Sequence, residues 1–217
     1  MKDWRHRRIV ITAGPTREKL DPVRYLSNES SGRMGWALAI AARNAGAHVT
    51  LVAGPTHLLN PPGINVVSVL SARDMLQATR RAARGAHAVI GAAAVADWRP
   101  AFFSQSKLKK GGPPPVVRLV PNPDILGTLA KERKGPFPRL AGFALESHRL
   151  LARAKKKMAQ KNLDLIVANS PNALGGEKTE AWILRPNHAA EKFQGRKTVL
   201  ARKILARLLE TVKSHER

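Results

Sequence analysis

Ser30-Ser31-Gly32 stands at the head of an alanine-rich stretch, 32–45, that is closed by Gly46. Hydroxyl groups and a glycine at the start of a helix present backbone N–H groups and the positive end of the helix dipole, a cradle for phosphate. The same residues also make an ordinary helix cap, so this segment alone leaves both roles open. A second stretch is Gly91-Ala92-Ala93-Ala94-Val95-Ala96-Asp97-Trp98. Small residues at a strand's end let a ligand approach the backbone closely. Asp97 adds one carboxylate for a ribose hydroxyl or for a magnesium ion that accompanies phosphates; a turn or cap aspartate has the same spacing. The third is Lys107, in a loop at 101–115 with Ser104-Gln105-Ser106, Lys109, Lys110, Gly111-Gly112 and three prolines. A lysine so placed could close over a bound phosphate or stabilise negative charge developing in a reaction, and a solvated lysine is the plain alternative. No G-x-G-x-x-G follows the first strand and no G-x-x-x-x-G-K-[ST] occurs anywhere, so a nicotinamide-dependent reductase and a P-loop NTPase both fit poorly. The chain has no cysteine, which excludes a thiolate nucleophile, thiolate metal sites and disulfides.

The elements that must position these groups alternate. Strands are expected at 8–13, 48–53, 65–69, 88–93, 116–120, 139–143 and 163–168. Helices are expected at 32–45, from Ser71 onward, after Asn122-Pro123, at 150–160 and at 198–212. Ser71 and Asp74 have the spacing of a capping box, and Asn122-Pro123 reads as a capping residue followed by a first-turn proline. Alternating strands and helices imply an α/β, Rossmann-like, mostly parallel sheet with helices on both faces. The strands are apolar without strict alternation, as suits strands covered on both sides. After Asn169 the pattern changes: 179–185 and 191–194 read as a small C-terminal β extension before the last helix. A single domain over 1–217 is expected. Two long connections, 15–31 and 101–115, fit neither helix nor strand; both follow strands, and in a doubly wound sheet ligands bind at the carboxyl ends of strands. The tetrapeptide Ala-Gly-Pro-Thr occurs at 13–16 and again at 53–56, where it reads as a tight strand-ending turn.

Taken together, ITAGPTREKLDPVRYLSNESSGRMG, GAAAVADWRP, SKLKK, NPDIL, GFALES and KNLDLIVAN resemble phosphopantothenoylcysteine synthetase, in that family's order and approximate spacing, from about Arg8 to Val212. Synthetases of this kind usually form the C-terminal half of a bifunctional bacterial protein that carries a flavin-dependent decarboxylase. The resemblance implies a ligase of coenzyme A biosynthesis. The carboxylate of 4′-phosphopantothenate attacks the α-phosphate of CTP to give an acyl-cytidylate and pyrophosphate, and the amine of cysteine then displaces CMP. The chemistry is reasonable, because a carboxylate resists amine attack until its oxygen becomes part of a good leaving group. By the same resemblance Asn28 holds and converts the acyl-cytidylate, and Lys107 sits on a flexible loop that closes over the site. Gly91, Ala92, Ala93, Asp97, Pro123, Asp124, Ile125, Leu126, Phe143, Lys157 and Lys161 match nucleotide-contacting positions. Read without the family, Phe143 is a core residue at a strand end, and Lys157 and Lys161 share one helix face as a solvated stripe would. The expected cosubstrate and ion are CTP and magnesium, with Asp97 the candidate metal ligand and no flavin on this chain. The sequence departs from the family at Arg33 and Pro121, where lysine is frequent, and at Ser147, where threonine is usual.

Composition bounds the remaining alternatives. Lys plus Arg number 38 against 15 acidic residues, a formal +23, which favours anionic partners. The basic residues are spread over several segments, and no helix-turn-helix, zinc-finger or aromatic RNA-binding signature accompanies them, so no specific nucleic acid is expected. No apolar run reaches the roughly 18 residues needed to span a bilayer, and the basic start lacks a signal peptide's apolar stretch, so a cytoplasmic enzyme is the simplest reading. The family pairs as homodimers, with the late β element near 179–194 the expected pairing edge. A decarboxylase is expected either as a separate protein or as a fused half.

Overall fold

The computed structural model describes residues 4–109, 116–146, 148–169 and 178–213. Lys110, Gly111-Gly112, the three prolines at 113–115 and Ser147 lie outside the described residues. The parallel strands are β1 (Arg8–Ala13), β4 (His48–Ala53), β5 (Asn65–Ser68), β6 (Ala88–Gly91), β9 (Arg139–Leu145) and β10 (Leu165–Asn169). With β11 (Lys178–Leu184) and β12 (Glu191–Arg196) they form one sheet in the order β12-β11-β10-β9-β6-β1-β4-β5. β11 and β12 join antiparallel, so the late β element extends the same sheet. The α/β architecture with a mostly parallel sheet is the one the alternating segments imply.

Alternate residues of each strand feed two apolar layers. Ile9, Ile11 and Ala13 face a layer built with α1 (Arg33–Asn44) and α5 (Lys197–Lys213); Val10 faces the other, with α2 (Ala72–Ala83), α3 (Ile125–Glu132) and α4 (Leu150–Gln160). On α5, Leu200, Ile204, Leu205, Leu208 and Leu209 recur at helical spacing and are buried; each large apolar side chain removed from water contributes about 1.5–3 kcal/mol. Trp4 is buried against this layer, its indole N–H donating to the Leu205 carbonyl at 3.3 Å.

Several expectations need correction. The connection at 15–31 contains a hairpin, β2 (Arg17–Lys19) with β3 (Tyr25–Ser27). The run expected as a sheet strand at 116–120 is instead β8 (Leu119–Pro121), paired outside the main sheet with β7 (Trp98–Pro100). An apolar run cannot say which partner it will find, and Pro121 has no N–H to offer a ladder. The capping box of α2 forms as its spacing demands, with Ser71 Oγ accepting from Asp74 N and Asp74 Oδ2 accepting from Ser71 N. α3 is capped by Asp124, which accepts from Gly127 N at 3.1 Å, and not by Asn122; the chain is still extended at Asp124, so the helix begins later.

Candidate functional site

The six parallel strands run β5-β4-β1-β6-β9-β10, and the order reverses at β1 and β6. The crevice beyond the carboxyl ends of two such strands is where doubly wound sheets bind ligands. Here the segments after both strands are stitched together. Ala94 N donates to Gly14 O at 2.9 Å, and Ala96 N donates to the buried Thr16 hydroxyl at 3.0 Å. The two Ala-Gly-Pro-Thr copies lie side by side, since Ala13 pairs with Ala53. A Cβ on Gly54 would fall 1.7 Å from the Pro15 carbonyl oxygen, so only glycine allows the two turns to approach so closely. The second copy is thus a strand-ending turn and also a wall of the site, because Pro55 and Thr56 line a cleft of about 510 Å³ with Asn28, Ser30 and Ser31.

A larger cleft of about 740 Å³ lies on the other side of the 28–33 segment. Its lining brings together Asn28, Ser30, Ser31, Gly32, Ala92, Ala93, Asp97, Phe143 and Lys157 from four separate stretches of sequence. The Asn28 amide is aimed across the crevice, with Nδ2 donating to Val95 O at 3.0 Å. Gly32 is the N-cap of α1 at φ 74, a left-handed conformation that glycine adopts without strain, and no side chain caps this helix. Ser30 Oγ accepts from Gly32 N at 3.3 Å, which turns the hydroxyl toward the helix start.

Lys157 sits at the far wall, its Nζ donating to Phe143 O at 3.0 Å. Burial, and next the charge of Lys161, hold the Lys157 ammonium below the ordinary lysine value, opposed by the carboxylates of Glu146, Asp124 and Asp97. Phe143 is half-buried on the cleft wall and also packs against the α1–α5 layer, so the strand-end core role and the site role coexist.

The remaining predicted residues stand outside the cleft lining. Gly91 lies one residue before it and accommodates Leu126, whose Cδ1 would be 2.7 Å from a Cβ there. Asp124 is occupied in capping α3 and in an ion pair with Lys161 at 2.7 Å, and Ile125 is buried beneath it. Pro123 lies beside Asn122, whose backbone N–H and side-chain amide donate to Asp97 O and Ala96 O at 2.8 Å each, fixing the 122–126 segment against the 96–97 turn. Lys107 is exposed and lines neither cleft, but the next residue is anchored: Leu108 N donates to Asp21 Oδ2 at 3.2 Å. Among the described residues no three His, Asp or Glu converge as a metal cage, and Asp97 is one exposed carboxylate. This donor set fits a magnesium ion that arrives on phosphates, with most ligands from phosphate and water.

Sequence reading passed over Thr16, Thr56, Thr179 and Lys197, all of which take part in this site. The repeated tetrapeptide was the available signal for the first two; Thr179 and Lys197 come from beyond β10 and carry no local signature.

Residues 4–212 match the family described as the DNA/pantothenate metabolism flavoprotein C-terminal domain, and the chain belongs to it. The resemblance drawn from the six motifs is therefore upheld at the level of the family. The chain is 46% identical over 172 residues to the coenzyme A biosynthesis bifunctional protein CoaBC of Escherichia coli K12, covering 78% of this chain and 42% of that one. It is also 45% identical over 193 residues to a cysteine/cysteine sulfinic acid decarboxylase from an unknown prokaryotic organism, covering 87% of this chain and 54% of that one. The crystal structure of the C-terminal domain of CoaBC superposes with a TM-score of 0.84 at 37% identity over 97% of both chains. A Cab2 mutant in complex with phosphopantothenate-cysteine shares the fold, with a TM-score of 0.78 at 18% identity over 98% of this chain and 90% of that one. The chain spans about half the length or less of the curated relatives it matches.

Proposed function

We propose that this chain is a phosphopantothenate–cysteine ligase working through an acyl-cytidylate. The observation that carries the reading is the convergence of Asn28, the uncapped start of α1 and the Ala92–Asp97 turn on one cleft at the sheet's reversal point. The whole-length match to the C-terminal domain of a coenzyme A biosynthesis protein supports it. In the first step a carboxylate oxygen of 4′-phosphopantothenate bonds to the α-phosphorus of CTP, and the bond to the β-phosphate oxygen breaks, releasing pyrophosphate. In the second, the cysteine amine bonds to the acyl carbon, the carbon–oxygen bond to CMP breaks, and the nitrogen loses a proton.

The residues supply orientation and charge, as two anions must be held in line before either bond forms. The start of α1 with Ser30 and Ser31 receives phosphate oxygens. The Asn28 amide, on the rim between the two clefts, reaches the acyl and phosphate oxygens, and Lys107 comes over the site from its anchored stem. Lys157 and Phe143 form the nucleotide's far wall. Asp97, a carboxylate on the lining, would help hold a magnesium ion, which would neutralise charge on the triphosphate. The reading assigns no flavin to this chain and places the decarboxylase on a separate or fused segment. It sets the enzyme in the cytoplasm; among the described residues no helix is long and apolar enough to cross a membrane.

The test supplies 4′-phosphopantothenate, cysteine, magnesium and a panel of nucleoside triphosphates. CMP and pyrophosphate should form only when both substrates accompany CTP; a folded protein that turns over none of the panel would overturn the proposal. Asn28→Ala should accumulate acyl-cytidylate, seen by mass spectrometry of the quenched reaction. Lys107→Ala should lose turnover by about a hundredfold or more, the order expected for a donor to developing charge.

A further inference from the structure

Lys197 opens α5 immediately after β12, and it is placed where a cation is least welcome. The N-terminus of a helix carries partial positive charge, and acidic residues normally occupy its first turn. The first turn of α5 contains none. Lys197 is half-buried, and no described residue offers it a hydrogen bond or an ion pair. Burial and then the positive charge of Arg33 hold its ammonium below the ordinary lysine value.

Three unfavourable effects thus meet at one side chain: helix dipole, burial and a like charge. A local arrangement that breaks these rules without compensation within the protein marks a functional site. The compensation is legible in the surroundings. Lys197 lines the 740 Å³ cleft together with Arg33, Gly32, Ser30 and Ser31, and the two helices that start there, α1 and α5, pack on the same face of the sheet. Two positive helix ends and two cationic side chains therefore border one part of the cleft. Its two acidic lining residues, Glu29 and Asp97, are both exposed, and neither pairs with Lys197.

We infer that Lys197 binds the outer phosphates of the nucleoside triphosphate, the part that leaves as pyrophosphate, and holds them across from the start of α1. The inference rests on the proposed triphosphate-dependent ligation and adds a residue to it. As the α–β bridging bond breaks, negative charge grows on the departing pyrophosphate oxygen, and a fixed ammonium there stabilises the transition state more than the ground state.

Lys197→Met separates this role from a structural one, with Lys197→Arg as the conservative control. Titration calorimetry on the whole chain would measure CTP, CMP and inorganic pyrophosphate. Lys197→Met should weaken CTP and pyrophosphate binding by about ten- to a hundredfold, the loss expected for one charge-assisted hydrogen bond, and leave CMP binding unchanged. Lys197→Arg should restore most of the loss. Because the substitution removes an unfavourable charge, Lys197→Met should melt at the wild-type temperature or above it, whereas a structural lysine would lower it. Unchanged CTP and pyrophosphate binding, an equal loss for CMP, or a lowered melting temperature would each overturn the inference while leaving the ligase reading intact. A wild-type chain that binds no nucleoside triphosphate would remove both.

Discussion

Asp21 shows how one side chain can set the position of a segment that carries a proposed site residue, here Lys107. It is fully buried, and its carboxylate accepts from Val23 N at 2.8 Å, Arg24 N at 2.7 Å and the Arg24 guanidinium at 2.5 Å, closing the β2–β3 turn. It also accepts from Leu108 N, while Arg24 Nη2 donates to Leu108 O at 2.8 Å, so the residue after Lys107 is held by both members of the pair. The Arg24 guanidinium first, and then the backbone N–H groups of Arg24, Val23 and Leu108, hold the carboxyl well below the usual carboxylate range against the effect of burial. A carboxyl lowered on folding stabilises the fold above its unfolded pKa, and that contribution is lost as pH falls toward the lowered value. The anchor should therefore survive acidification through the ordinary aspartate value of about 3.9. Asp21→Asn should release the Lys107 segment and reduce kcat, with misplacement of about 1 Å costing on the order of a hundredfold. Steady-state kinetics beside circular dichroism would check this; wild-type kcat in a folded variant would show that the stem does not position Lys107.

The opposite end of the sheet depends on a different cluster. Asp164, in the turn between α4 and β10, accepts from Arg133 Nη1 at 2.6 Å, Arg139 Nη1 at 2.5 Å and Leu140 N at 2.8 Å. All three ionic side chains are nearly buried, and Nε and Nη2 of Arg139 have no hydrogen-bond partner. One carboxylate thus pairs with two guanidinium groups, leaving the trio with a net positive charge, and ties α3, β9 and β10 together. Removing one member of a buried ionic group leaves uncompensated charge and costs about 3–5 kcal/mol. Asp164→Ala should lower the unfolding free energy measured in urea by that order, with the nucleotide affinity of the fraction still folded unchanged, since the cluster lies far from the strand ends that carry the proposed site. An unfolding free energy within about 0.5 kcal/mol of wild type, the range of ordinary surface changes, would count against this account.

For the whole molecule, several of the large apolar side chains exposed among the described residues lie on the two small hairpins and their connections, with others elsewhere, Leu59 among them. Val23 is 60% exposed, Trp98 54%, Phe102 78% and Val116 96%. The β12 edge instead exposes Lys192, Gln194 and Arg196. We propose that the chain forms a homodimer through this hairpin face and not through the late β element, because exposed apolar side chains grouped there suit a protein interface better than the charged β12 edge. Sedimentation at micromolar concentration should give a dimer for the wild type and a monomer for a Phe102→Ser, Val116→Ser double variant. A wild-type monomer would remove the dimer; a double variant that still pairs would return the contact to another surface. The formal charge of +23 belongs to this scale as well: it favours anions in general and selects none among them.

The alternation of strands and helices, the α2 capping box and the family itself were legible in the sequence, because each depends on neighbours in the chain or on ordered motifs. The start of α1 and the Ala92–Asp97 turn were legible as candidate segments, with cap and phosphate cradle both open for the first; only the structure shows that no side chain caps α1 and that both segments line the cleft. The pairing of β7 with β8, the capping of α3 by Asp124 and the anchoring of Leu108 by Asp21 were not, since each joins groups whose preferences are satisfied by several partners. Lys197 is the clearest case. In sequence it is one of 38 basic residues, and only the packing of α5 beside α1 brings its charge into the cleft. Local hydrogen-bonding and hydrophobic pattern determined the elements; long-range packing decided which charges line the cleft.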